Sequence, residues 1–96
     1  MDYIFEWDPD KAQQNKKKHG ISFELAATVF TDPKAISLYD PEHSKDEDRW
    51  VTLGLSANHG LVVVCHTFQW INKSAARIRI FSSRKATRRE SRQYLE

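Results

Sequence analysis

The sequence predicts an α+β fold in which an N-terminal strand and two helices pack on an antiparallel sheet, with a C-terminal helix closing the chain. Three observations carry that prediction. Leu61 to Phe68 (LVVVCHTF) is apolar on both faces, as a strand in the middle of a sheet must be. Phe23, Ala26, Ala27 and Phe30 recur at i, i+3, i+4 and i+7, the stripe of an amphipathic helix. Ile78 and Ile80 alternate with Arg77, Arg79 and Phe81, which gives a strand one apolar and one cationic face. If the isoleucines face the helices, period two sends Arg77, Arg79 and Phe81 to the opposite, open side of the sheet.

Taken in order, Tyr3 to Trp7 reads as a short first strand. Asp8-Pro9 supplies an N-cap and a proline at the first helical position, so a helix runs from Pro9 to His19 and stops at Gly20. Ala12 is its only apolar residue, so this helix lies across the surface and buries little. Ser22 caps the second helix, whose Phe23 and Phe30 are expected in the core, and Asp32-Pro33 ends it. Ala35 to Tyr39 is a strand. The acidic stretch Asp40 to Asp48 reads as a polar loop without fixed geometry, and His43 within it as solvated. Arg49 to Ser56 alternates as a strand, Ala57 to Gly60 carries hairpin chemistry, and Leu61 to Phe68 follows. Gln69 to Ser74 reads as the last hairpin loop. Beyond the basic strand, Ser82-Ser83 makes a turn, and Thr87 with Glu90 has the spacing of a capping box that opens the last helix.

A chain of 96 residues reads as one domain, spanning residues 1–96. The net charge of +2 conceals a segregation: from Ala75 onward seven Lys and Arg stand against two acids, so the C-terminal end is suited to a polyanion. Cys65 is the single cysteine, expected to be a small core residue in a reducing compartment. No apolar run has spanning length and no signal-peptide pattern opens the chain, which points to the cytoplasm and away from membranes.

The basic end is the candidate site. Arg84, Lys85, Arg88 and Arg89 crowd the start of the last helix, against the helix dipole, and a local rule broken this way marks function. Exposed helix amides and converging guanidinium groups bind phosphate. Arg79, mid-strand, together with Arg84 and Lys85 is expected to point at one phosphate, with Arg49 as the next cation. Arg77, Phe81, Arg88 and Arg89 complete a cationic floor with an aromatic, suited to RNA. Tyr94, two helical turns after Thr87, reaches toward the edge of the site or packs the helix onto the sheet. His66 is the polar exception in its strand; a lone His there is more often structural, and it is a weak candidate for proton transfer.

The usual hydrolytic motifs are absent: there is no HExxH, CxxC pair, P-loop or GxSxG, and the four histidines are scattered. No metal and no cofactor is expected. Arginine is a poor base but stabilises the dianionic transition state formed when a ribose 2′-OH attacks its own phosphodiester.

FEWD (Phe5 to Asp8), KHG (Lys18 to Gly20), Phe23 with Ala26-Ala27, Arg49-Trp50, and RIFSSRKATRRE (Arg79 to Glu90) with Tyr94 closely resemble the BrnT toxins, over nearly the whole chain. The resemblance implies a RelE-like fold and an mRNA-cleaving toxin of a bacterial type II toxin–antitoxin system. It also implies a BrnA-type antitoxin as partner, with DNA met only through that antitoxin. The residues themselves leave two other readings open: a module that holds nucleic acid without cleaving it, and a surface that docks an acidic antitoxin and acts as corepressor.

Overall fold

The computed structural model describes residues 1–96, and most of its elements begin and end where local chemistry dictates. β1 (Asp2–Glu6) leads into α1 (Pro9–His19), whose cap Asp8 accepts from the Asp10 N–H at 2.8 Å. Gly20 stops α1 at φ 72°, a left-handed conformation that glycine adopts without strain. α2 (Phe23–Ala27) starts from the Ser22 hydroxyl, which accepts from Leu25 N–H. It is shorter than its apolar stripe, because Thr28–Thr31 tightens into a 3₁₀ turn. The Thr28 hydroxyl donates to the Leu25 carbonyl at 2.6 Å, competing with the helical ladder, and Asp32-Pro33 bars continuation. Phe23 is fully buried, but Phe30, expected in the core, is only half-buried at the end of that turn.

β2 (Ile36–Tyr39), β3 (Arg49–Leu55) and β4 (Leu61–Thr67) form the antiparallel meander. β5 (Gln69–Asn72) pairs with β6 (Ala75–Lys85), so the stretch expected to be a loop is itself a short strand. The sheet order is β1-β6-β4-β3-β2, with β5 also beside β6. β1 runs parallel to β6, which makes the sheet mixed rather than wholly antiparallel. No turn occurs at Ser82-Ser83: Val64 pairs with Ser83 and Val63 with Arg84, so the β4 ladder carries β6 straight through them.

The helices cover both faces of the sheet, where the sequence suggested one. On the first face Ile21, Phe23, Ala26 and Val29 pack against Val62, Val64, Ile78 and Ile80. Gly54 lets the 3₁₀ turn approach on that side, since a Cβ there would stand 3.0 Å from Val29 Cβ. α3 (Arg88–Leu95) lies on the second face, where Glu90 and Gln93 border a hollow with Ile36, Leu38, Val51, Leu53 and Val63. The polar α1 is anchored by one buried side chain. Asn15 Nδ2 donates to Ser83 Oγ at 2.8 Å and to the Ile21 carbonyl at 3.1 Å, and Asn15 Oδ1 accepts from Ser83 N–H at 3.1 Å.

β6 contains a bulge. Cys65 pairs with Ser82 but His66 pairs with Ile80, so Phe81 is one residue extra. The alternation shifts there: Ile78 and Ile80 are buried before it and Ser83 after it, all toward the first helical layer. Arg79 and Arg84 therefore share the second face although one position is odd and the other even.

Candidate active site

The cations meet around the Phe81 ring. Arg49, first residue of β3, aligns with Thr67 of β4, and the Thr67 hydroxyl accepts from the Arg79 N–H at 3.0 Å. This row across three strands sets the Arg49 guanidinium carbon 4.1 Å and that of Arg79 5.2 Å from the Phe81 centroid. Lys11, one turn before Asn15 on α1, adds its Nζ at 5.7 Å. The Arg49 Nε is buried without a hydrogen-bond partner, a loss that contact with the ring face offsets in part. Phe81, expected as an open stacking surface, is instead half-buried beneath these cations.

Glu47 supplies the opposite charge. Its Oε1 lies 3.6 Å from Arg79 Nη2 and 3.8 Å from Arg49 Nη2, long enough contacts for the carboxylate to be displaced. The acidic loop that holds it has a defined geometry, contrary to expectation. Pro41–His43 is a 3₁₀ turn, Ser44 Oγ accepts from Arg49 N–H at 2.9 Å, and Tyr39 donates to Asp48 at 3.0 Å. His43 is not merely solvated: its Nδ1 is 2.8 Å from Asp40 Oδ2, which fixes the ring and leaves Nε2 open. His43, Glu47 and Arg49 line one shallow depression of about 210 Å³. A carboxylate beside two guanidiniums, with an oriented imidazole nearby, can accept a proton, hold a phosphodiester and return a proton.

The other expected cations do not join this group. Arg84 shares Arg79's face but lies five strand residues on, roughly 16 Å at strand rise. It is held by a two-pronged bond to Glu90, at 2.7 and 3.0 Å. That bond raises the Arg84 pKa and, with help from the Thr87 backbone N–H, draws the Glu90 carboxyl down to about 2. The crowding of cations at the start of α3 is thus answered by Glu90, the acid of the capping box. Lys85 is exposed and borders a hollow with Ile21 and Leu25, on the first face. Arg77 lies 3.9 Å from Glu6, and Arg88 and Arg89 stand exposed on α3 with no acid at ion-pair distance.

Tyr94 takes the packing role. Its hydroxyl donates to Asp32 Oδ2 at 2.6 Å and ties α3 to the loop before β2. This bond raises the Tyr94 pKa; burial pulls the Asp32 carboxyl up, but Tyr94 and the Leu55 and Lys34 N–H groups outweigh it and leave the carboxyl below its usual range.

His66 points into the first face, away from the cation row, with Phe30 edge-on at 4.7 Å. Nδ1 lies 2.8 Å from the Thr67 carbonyl and Nε2 2.6 Å from Thr52 Oγ1, which is 2.7 Å from Ser37 Oγ. Burial lowers the His66 pKa, so this ring is neutral near pH 7.

A sequence model for the BrnT ribonuclease toxin of type II toxin–antitoxin systems matches residues 7–90. The chain belongs to this family. Its fold is that of a solved member, the Brucella abortus ribonuclease toxin BrnT: 92% of this chain and 100% of that one superpose with a TM-score of 0.51 at 22% identity. No curated protein sequence matches. The match takes in the basic strand and the start of the last helix as far as Glu90, while Glu47, His43 and Lys11 are what the structure adds to the candidate site. The one local trace of the latter is the i, i+4 spacing of Lys11 and Asn15, which puts both on one side of α1.

Proposed function

We propose that this chain is an endoribonuclease toxin that cleaves mRNA through attack of a ribose 2′-OH on the adjacent phosphodiester, with no metal required. The observation that carries this reading is Glu47 set between Arg49 and Arg79 above the Phe81 ring. The scissile phosphate takes the place of the Glu47 carboxylate between the two guanidiniums. The displaced carboxylate accepts the 2′-OH proton as O2′ bonds to phosphorus. The P–O5′ bond breaks, and His43, protonated and held by Asp40, gives its Nε2 proton to O5′. The products are a 2′,3′-cyclic phosphate and a free 5′-hydroxyl. Lys11 and Arg77 extend the field along the RNA backbone, and a BrnA-type antitoxin neutralises the toxin by covering this face. DNA is reached only through the antitoxin.

Three RNAs incubated with the protein in the presence of a chelator test the reading: all-ribose, one deoxyribose 5′ to the cut, and all-deoxy. Cleavage of the first alone, ending in a cyclic phosphate, is expected, with Glu47→Gln slower by at least about 10²-fold. Equal cutting of the deoxy-substituted strand overturns the 2′-OH route. Binding without cutting favours the module that only holds nucleic acid.

A further inference from the structure

A cavity of about 470 Å³ opens on the first face of the sheet, on the side of His66. Its walls include the aromatic rings of Phe30, Trp50, Phe68 and Trp70, and its polar groups include Ser37 and Asp32. The volume is that of a small-molecule site, and rings of this kind stack on flat heterocycles. Trp50 follows Arg49 directly in β3, and Phe68 follows Thr67, the residue bonded to the Arg79 N–H. The cavity and the cation row are thus consecutive residues of the same strands, facing opposite ways.

The hydrogen-bond directions in the cavity wall are determined. A carbonyl cannot donate, so His66 Nδ1 carries the proton shared with the Thr67 carbonyl. In the neutral ring Nε2 then only accepts, and the Thr52 hydroxyl must donate to it. Thr52 has no second proton, so Ser37 donates to Thr52 Oγ1. The Ser37 hydroxyl has thereby spent its proton and offers lone pairs alone. Asp32 adds to this: its Oδ2 receives Tyr94 and Leu55 N–H, while its Oδ1 receives only Lys34 N–H and keeps a lone pair. Ser37 and Asp32 both ask for a donor.

We propose that this cavity is a base subsite that takes a nucleobase flanking the cut, preferring one with an exocyclic amino group (cytosine, adenine or guanine) over uracil. The flanking nucleotide reaches over the start of β3 while its neighbour's phosphate rests on Arg49 and Arg79. The amino group donates to Ser37 and Asp32, and the ring stacks among Trp50, Phe68 and Trp70. Uracil has one N3–H flanked by two carbonyls, so it cannot donate to both Ser37 and Asp32 and is disfavoured. The inference rests on the ribonuclease reading for the source of the base, but free nucleosides test the subsite without any cleavage.

Trp50 and Trp70 report on the cavity, so tryptophan fluorescence is titrated with cytidine, adenosine and uridine. Saturable quenching by cytidine or adenosine is expected, with uridine about threefold to tenfold weaker, the value of one hydrogen bond. Ser37 and Trp70 are both exposed, so their variants fold. Trp70→Ala weakens all three nucleosides, and Ser37→Ala narrows the gap between cytidine and uridine. Equal affinity for uridine, or a gap unchanged in Ser37→Ala, overturns the proposal. So does quenching by N-acetylphenylalaninamide as strong as by cytidine, which assigns the cavity to a side chain of a protein partner. In cleavage assays Ser37→Ala shifts base preference beside the cut, and an unshifted preference removes the link to substrate. If no RNA is cut while nucleosides are still discriminated, the ribonuclease reading fails and the base site stands.

Discussion

Arg84 and Glu90 are joined by two hydrogen bonds, at 2.7 and 3.0 Å, across the corner between β6 and α3. Glu90 Oε1 also accepts from the Thr87 N–H at 2.9 Å, so one carboxylate caps the helix and fastens it to the strand. One of the two arginines expected as phosphate ligands is thereby neutralised in place.

That pair carries a pH dependence. The Glu90 carboxyl is depressed from 4.5 to about 2. Its contribution to stability is therefore complete above about pH 4.5 and lost as the pH falls through about 2. With Arg84 partly exposed, the pair is worth about 1–2 kcal/mol. Denaturant titrations from pH 6 downward are expected to show a fall in stability over this window that is flattened in Glu90→Gln.

Single-turnover cleavage separates the cation cluster from the rest of the basic surface. Arg79→Ala and Arg49→Ala each lose about 10²–10³ in rate, the cost of removing one preorganised charge contact. Folded Arg84→Ala loses less than about tenfold, since its charge is already engaged. Lys17→Ala on the exposed side of α1 chiefly alters salt dependence. Equal small losses in all four mean a diffuse patch with no organised site.

Asn15 is the hold of α1 on the sheet. Asn15→Ala leaves the buried Ser83 N–H without its partner and removes both amide donations. A loss of about 2 kcal/mol is expected from equilibrium unfolding. Because Lys11 rides on the same helix, cleavage by the folded fraction falls as well. Unchanged stability would mean that α1 is held by other contacts.

Tyr94→Phe removes the bond to Asp32 and is expected to lower the melting temperature without slowing cleavage by the folded protein. Ultraviolet titration offers a second check. The Tyr94 phenol ionises above its ordinary range, and Asp32→Asn returns it toward that range.

Much of the fold was legible because its rules are local. The caps at Asp8, Ser22 and Thr87, the stop at Gly20 and the apolar β4 were each written within a few residues of where they act. Family membership was legible too, from motifs spread along the chain. What was not legible is set by partners distant in sequence. The bulge at Phe81 depends on how β4 pairs with β6: without that pairing the Ser82-Ser83 pair reads as a turn, and period two makes Phe81 an open platform. Glu47 reaches Arg79 only because the meander sets the start of β3 one strand away from β6, across β4. Glu90 was read as a cap, and its second task, six residues from Arg84, needed the corner between strand and helix to be seen.

The position of β6 in the chain bears on when the protein acquires its shape. β1 has β6 as its only strand partner, and β6 does not begin until Ala75 of 96 residues. Until β6 has been made the first strand waits unpaired, and Arg79, itself in β6, cannot stand beside Lys11 and Arg49. Protease protection of stalled nascent chains should therefore appear only once β6 is free to pair. The cation row is thus assembled with the strand that closes the sheet, after most of the fold's other strands have been made.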